Sequence, residues 1–258
     1  MADQPLVTIV TPSYNQARYL EHTIRSVAGQ EYANIEHFVV DGGSTDDSLE
    51  VIKQHAKHID WWVSEKDAGQ ADAINKGFAR ARGKYQAWIN ADDILLPHAI
   101  REAVEFLEKN PDVGMVYGDV DFIDASGQLR GRFPARQTDY ARMLHGYVHI
   151  PQQATMWRAA LWRPLDTQLN FAMDYDLWVH IARSSRLHYL PRTWAQFRLH
   201  ADSKTLRNDM RAWEDMLRVH RAEGGGYFSV MRLKYWLRRL LFPLIRARRQ
   251  RQAGISES

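Results

Sequence analysis

The sequence predicts an α/β protein with a mostly parallel central sheet flanked by helices and a basic amphipathic helical tail. Three observations carry that expectation: short apolar runs alternate with helix-like segments through the first half, turn residues punctuate the joins, and basic charge is concentrated at the C-terminal end. Leu6–Thr11, Ile35–Asp41, Trp61–Ser64, Tyr85–Asn90 and Val113–Tyr117 are short, rich in Val, Ile and aromatics, and bounded by polar or Gly/Pro residues, as strands are. Ala17–Ala28, Ser48–Ala56, Asp72–Arg82 and Pro97–Lys109 have helical character, with Pro97 suited to a first turn. Strand–helix alternation implies right-handed βαβ units around a buried parallel sheet. Val120–Phe133, with Asp124-Ala-Ser-Gly127 at its centre, reads as a hairpin, and Asp174–Ala182 and Ser203–His220 read as helices. Gly224-Gly-Gly226 reads as a linker.

Composition narrows the function classes. The chain has 258 residues, 45% of them hydrophobic and 25% charged, which excludes a disordered or fibrous protein. It has no cysteine, so it has no disulfide framework, thiolate nucleophile or thiolate metal site. The first residues, MADQPLVTIVTPSYN, do not read as a secretory signal. No stretch reaches the ~18 uncharged apolar residues of a membrane span. The net charge of +3 hides an asymmetry: residues 224–258 hold eight basic groups against one acidic, a net +7, whereas the other 223 hold 26 against 30, a net −4. A net acidic body argues against nucleic-acid binding, which wants a basic face across the fold.

Ligands of open parallel sheets bind outside the carboxyl ends of the strands. That rule selects Thr11-Pro-Ser-Tyr-Asn15, Asp41-Gly-Gly-Ser-Thr-Asp46 and Asn90-Ala-Asp-Asp93. Asp92 and Asp93 suit a hard divalent cation shared with substrate phosphates, and equally a helix cap. Asp41 with its glycines suits a ribose or base N–H, and equally an ordinary strand-to-helix turn.

The four segments VTIVTPSYN, VVDGGSTDDS, EKDAGQADAINKGFARARGKY and WINADD, in that order over residues 6–93, closely resemble the nucleotide-sugar half of the family 2 glycosyltransferases. The resemblance implies a GT-A fold, inversion at the anomeric carbon, a nucleoside diphosphate sugar donor and Mg²⁺ or Mn²⁺. It implies a transferase domain over 1–223, divided into a nucleotide-sugar half (6–119) and an acceptor half (120–223), with a linker and tail over 224–258. It puts Thr11, Ser13, Tyr14 and Asn15 beside the nucleotide, Asp41 on its base or ribose, and Asp67, Gly69 and Gln70 near the same pocket. Asp92 matches the last carboxylate of the family's Asp-x-Asp metal motif, whose first position is Asn90 here; Asp93 and His200 complete the expected metal set. Either His200 or Arg198 is placed to steady the departing diphosphate.

In NFAMDYDLWVHIA the family's usual Glu-Asp pair becomes Met173-Asp174, which aligns Asp174 with the catalytic base. A positioned carboxylate can take the proton of an attacking hydroxyl; as an alternative Asp174 caps a helix, and Asp176 is the rival base. Gln152, Gln153, Trp157 and Trp178 fall on the expected acceptor side. His145 and His149 lack an HExxH context, so no zinc site is expected.

In the tail, Val230, Leu233, Leu237, Leu240, Leu241 and Leu244 fall on one helical face, with Arg232, Lys234, Arg238 and Arg239 largely off it. Such a helix, residues 227–250, is expected to lie on an anionic membrane surface, with Pro243 bending or ending it. The reading is therefore a cytoplasmic glycosyltransferase, peripheral on the inner face of the membrane, that adds a sugar to a carbohydrate or lipid-linked acceptor in surface polysaccharide or glycan synthesis. The departures at Asn90 and Met173 leave a catalytically silent sugar-nucleotide-binding or scaffold protein as the alternative.

Overall fold

Period-two alternation in the first strands decides which helices cover each face of the sheet. In the computed structural model, which describes residues 4–200 and 209–252, Val7–Ser13 (β1) pairs in parallel with Ile35–Asp41 (β2) and Tyr85–Trp88 (β4), and β2 with Trp61–Ser64 (β3). Neighbours on β1 point to opposite layers. Ile9 packs with Val27 of Ala17–Ala28 (α1) and Ile100 and Val104 of Ala99–Lys109 (α4). Val10 packs with Ala73 and Ile74 of Gln70–Phe78 (α3). Burial on both faces explains why β1 is apolar on consecutive residues rather than alternating. A third cluster joins Leu20 and Ile24 of α1 to Val39 of β2 and Ile52 of Ser48–Gln54 (α2).

The contact between α3 and β1 is close at Gly77, where an added Cβ would stand 2.6 Å from Val10 Cγ1. Val10 is fully buried and cannot withdraw. Gly77→Ala is therefore expected to destabilise the fold by about 1–3 kcal/mol through overpacking, seen as a lower urea midpoint with an unchanged slope.

Beyond β4 the sheet becomes mixed. Val113–Asp124 (β6) forms the predicted hairpin with Leu129–Phe133 (β7), pairs antiparallel with Thr155–Arg158 (β8) and parallel with Arg186–Leu199 (β9). β8 also pairs antiparallel with β4, and Ile94–Leu95 (β5) with β9. The strand order is β3-β2-β1-β4-β8-β6-β9-β5, with β7 paired to β6. The α/β fold expected from the sequence is thus the one observed, with its parallel part confined to β3-β2-β1-β4 and the β6–β9 pair.

Tyr140–Leu144 (α5), Met173–Ser184 (α6), Asp209–Ala222 (α7) and Val230–Gln252 (α8) complete the chain. The start of the expected Ser203–His220 helix, residues 203–208, lies outside the described residues. Two expectations are corrected. Trp157 and Trp178 are fully buried with Trp88, their ring centroids 5.4–5.7 Å apart, so none of the predicted acceptor-side tryptophans offers a face to a sugar. Of the bend or end expected at Pro243, the end does not occur, since α8 continues through it to Gln252. Proline removes one backbone donor, and a long helix carries that loss.

The three glycines form a closed corner rather than a loose tether. Gly225 N–H donates to His220 O (2.8 Å), and Ser229 Oγ lies 2.9 Å from the buried His220 Nε2. The chain therefore folds α8 back, and its Met231 and Tyr235 join the same core cluster as Leu217 and Val219 of α7.

Candidate active site

The carboxyl ends of β1, β2 and β4 open into a cavity of about 780 Å³, closed on the far side by α6, α7 and the end of β9. Of the predicted residues, Ser13, Tyr14, Asp67, Gly69, Gln70, Asp92, Gln152, Gln153 and Asp174 line it. Thr11, Asn15, Asp41, Asp93, His200, Asp176, Trp157 and Trp178 lie behind or outside the lining.

Several of those outlying residues shape the loops. Thr11 is buried in β1, its Oγ1 2.9 Å from His37 Nε2. Asn15 adopts a left-handed φ of 51° and its Oδ1 accepts from Thr45 N–H (2.8 Å), tying the loop after β1 to the loop after β2. Asp46 continues the tie by accepting from Ala17 N–H at the start of α1 (3.0 Å); its carboxyl lies below the usual range because bonds from Ser48 and that amide outweigh burial, the largest single influence, which acts upward. Asp41 accepts from Ser64 Oγ (2.7 Å), Gly43 N–H (3.2 Å), Ser44 N–H (3.0 Å) and the Ser44 hydroxyl. Those four donors fill a carboxylate's acceptor capacity, so contact with a nucleotide base would displace one of them. Asp41 thereby fixes Gly42 and Gly43, which do line the cavity. A Cβ at Gly42 would meet Asp67 Oδ2 at 2.6 Å, so a side chain there would push the Asp67 carboxylate aside.

The residues after β4 form one connected polar network. Gln70 Nε2 donates to Asn90 Oδ1 (2.8 Å); Asn90 Nδ2 donates to Asp93 Oδ2 (3.1 Å) and Gln152 Oε1 (3.3 Å); Gln152 Nε2 donates to Trp88 O (2.8 Å). An amide at position 90 is needed here because only an amide both accepts and donates in this way. Asp93 is fully buried and accepts from Arg198 N–H (3.1 Å). Burial, then the charge of Asp92, push its carboxyl well above the usual range. Asp93 thus holds the end of β9 against this loop and does not face the cavity. Arg198 is buried: its Nε donates to Asp92 O (3.0 Å) and its Nη1 to Asp124 O (3.1 Å), which pins the hairpin turn, and it does not line the cavity.

Asp92 and His200 remain together, with Asp92 Oδ2 3.0 Å from His200 Nε2 and both side chains largely buried. His200 packs on the Tyr19 ring at 4.9 Å between centroids. A carboxylate oxygen and an imidazole nitrogen at one point fit two ligands of a divalent cation whose other positions come from phosphate oxygens and water. Among the described residues no group of three or more acidic, His or Cys side chains forms a complete protein cage.

Asp174 sits in the first turn of α6, half-buried and lining the cavity. Its side chain does not cap the helix. Burial pushes its carboxyl up to about 6, against the opposing Tyr175 N–H, which donates at 2.7 Å. Asp176, the rival, is turned to Arg163 Nη2 (2.8 Å) and does not line the cavity.

The cavity also contains residues that sequence reasoning passed over, among them Lys66, Asn170, Phe171, Phe197 and Ala212. Lys66 stood inside a quoted motif and carried the available signal, a cation beside a sugar-nucleotide loop. It is exposed and makes no ion pair among the described residues. Phe171 N–H donates to Asp215 Oδ2 of α7 (2.8 Å), a contact across 44 residues that no local pattern announces.

A sequence model of the family described as glycosyl transferase family 2 matches residues 8–163. An uncharacterized glycosyltransferase of Rickettsia prowazekii is 28% identical over 228 residues, covering 82% of this chain and 70% of its own length. Among solved structures, the mannosyltransferase PcManGT from Pyrobaculum calidifontis, in complex with GDP-Man and Mn²⁺, superposes with a TM-score of 0.68 at 18% identity, covering 100% of this chain and 77% of that one. S. aureus TarS 1-349 in complex with UDP gives 0.64 at 15% identity, covering 84% and 65%. At those identities the likeness is one of fold, and it is the GT-A fold. Because the family match takes in more than half of the chain and the loops after β1, β2 and β4 that build the cavity, this protein belongs to glycosyl transferase family 2.

Proposed function

We propose that this chain is an inverting transferase that moves one sugar from a nucleoside diphosphate donor to a hydroxyl of a carbohydrate or lipid-linked acceptor, with Asp174 as general base. The observation that carries the proposal is the meeting in one cavity of Asp174, the Asp92 carboxylate, the loop after β1 with Ser13 and Tyr14, and the Gly42-Gly43 loop after β2. The relatives in complex with UDP and with GDP-Man support a sugar-nucleotide donor by their likeness of fold.

The residues divide the work as follows. Tyr14, 59% exposed at the cavity mouth, offers a ring to the nucleotide base. Gly42 and Gly43 admit the ribose, and Lys66 faces the diphosphate. Asp92 and His200 would hold Mg²⁺ or Mn²⁺, which when bound neutralises charge on the leaving group. Asp174 takes the acceptor's proton as the hydroxyl oxygen bonds to the anomeric carbon and the bond to the diphosphate breaks; the nucleoside diphosphate departs with that electron pair. The donor half is residues 6–119 and the acceptor half 120–223, with Gln152 and Gln153 on the acceptor side. The enzyme acts in surface polysaccharide or glycan synthesis, peripheral on the inner face of the cell membrane through residues 227–250. Among the described residues no helix is long and apolar enough to cross a membrane.

The donor is found by thermal shift with a panel of nucleoside diphosphate sugars and Mn²⁺. A true donor at 100 times its Kd adds about 2.7 kcal/mol to stability, and a panel that leaves the midpoint unmoved contradicts the reading. Lys66→Ala is expected to raise the KM for that donor by roughly tenfold, the worth of one charge-assisted phosphate contact, with kcat within about threefold as for uniform binding.

A further inference from the structure

The helix α8 presents two opposite faces. Met231 and Tyr235, both buried, dock it on the body. Across the helix, Leu233, Trp236, Leu237, Leu240 and Leu241 are 46–78% exposed at spacings of 3, 1, 3 and 1, a continuous apolar stripe that none of the described residues covers. Phe228, at 98% exposure, stands just before it. Four residues of the stripe, Leu233, Leu237, Leu240 and Leu241, belong to the face predicted from sequence, and Trp236 is added to them. An exposed apolar strip of this kind marks an interaction surface.

The charges beside the stripe select the partner. Arg232 and Arg239 lie along one side, over the Tyr227 and Trp236 rings, and Lys234 along the other, its ammonium over the Tyr147 ring of the body; none of these three pairs with a carboxylate among the described residues, and residues 230–252 contain no acid at all. A second copy of α8 laid on the stripe would bring these cations together, whereas an anionic bilayer complements both the stripe and its flanks.

The docking contact also relates that surface to the cavity. Ala212 of α7 lines the cavity, and its neighbour Trp213 receives Arg238 of α8 over its ring at 5.4 Å. One helix therefore separates the sugar site from the apolar stripe.

Resting on the membrane placement above, we infer that α8 is an interfacial helix whose Leu233–Leu241 stripe lies in an anionic bilayer, and that its packing on α7 holds the sugar cavity at that surface, where a lipid-linked acceptor is presented.

The test is flotation of the full chain with vesicles of phosphatidylcholine alone or with phosphatidylglycerol added, for the wild type and Leu237→Glu/Leu240→Glu. These side chains touch no catalytic residue, so the variant keeps its thermal midpoint and its donor hydrolysis in solution. The expected result is binding to the anionic vesicles only, weakened by salt, and lost by at least about tenfold in the variant. Equal binding of wild type and variant overturns the inference. So does a wild type that ignores anionic vesicles, or one that is a dimer in solution and becomes a monomer in the variant, which would make the stripe a self-interface. Asp174→Asn, tested in parallel, should float like the wild type; transfer lost there and flotation lost in the stripe variant fail independently.

Discussion

Asp174→Asn is expected to end sugar transfer while making the folded protein more stable. Without a carboxylate to accept the hydroxyl proton, kcat should fall by about 10²–10⁴-fold, the range of a positioned general base, while the donor KM changes little because the side chain does not hold the nucleotide. The stability effect follows from the raised carboxyl. Folding carries it from an ordinary value of 3.8 to about 6, so the folded state binds a proton more tightly than the unfolded chain. The stability this contributes is full below about 4 and is lost as pH rises through about 6. Above that pH the wild type keeps a partly desolvated charge that the asparagine variant lacks, a difference on the order of 1–3 kcal/mol. Urea unfolding at pH 4 and pH 8 separates the cases: the variant gains over the wild type at pH 8 and not at pH 4. The rate gives the same sign, since the base works only when ionised, and wild-type kcat should fall on the acid side of about 6.

Asp92→Asn should cost nearly as much through a different step. In the loop directly after β4, Asp92 and not Asp93 lines the cavity, and His200 Nε2 at 3.0 Å is its neighbour. Loss of the charge that holds the cation withdraws several kcal/mol of leaving-group stabilisation, about 10²–10⁴-fold in kcat/KM. Raising Mn²⁺ should recover part of the activity in this variant and none in Asp174→Asn. A chelator should silence the wild type and be reversed by Mn²⁺ or Mg²⁺. Activity in the variant at wild-type level without added metal would remove Asp92 from this role.

Much of the site was legible in the sequence because it is built from strand ends, and strand ends are local signals. The loops after β1, β2 and β4, and Asp174 at the head of α6, all lie where alternating apolar runs stop. What the sequence does not disclose is which member of a polar run faces inward. Asp41, Asp92 and Asp93 look alike as text, yet only Asp92 lines the cavity, because Asp41 and Asp93 spend their oxygens on Gly43, Ser44, Ser64, Asn90 and Arg198. The antiparallel pairing of β8 between β4 and β6 joins segments some seventy and forty residues apart, and no periodicity encodes it. For the same reason the burial of Trp157 and Trp178, expected on the acceptor side, becomes visible only when β4, β8 and α6 are brought together. In the tail, the outward apolar face was visible from spacing alone, whereas the docked face, Met231 and Tyr235, became visible only with α7 in place.

The central claim is that one cavity binds a sugar nucleotide and that Asp174 turns binding into transfer. It is tested most directly by measuring nucleoside diphosphate release and donor binding side by side, for wild type and Asp174→Asn, with a stabilising donor and Mn²⁺. The account predicts release by the wild type, binding of the same donor by both proteins, and release by the variant at background. Wild-type release from Asp174→Asn, or a wild type that binds the donor and never turns it over with any acceptor extract, would contradict it.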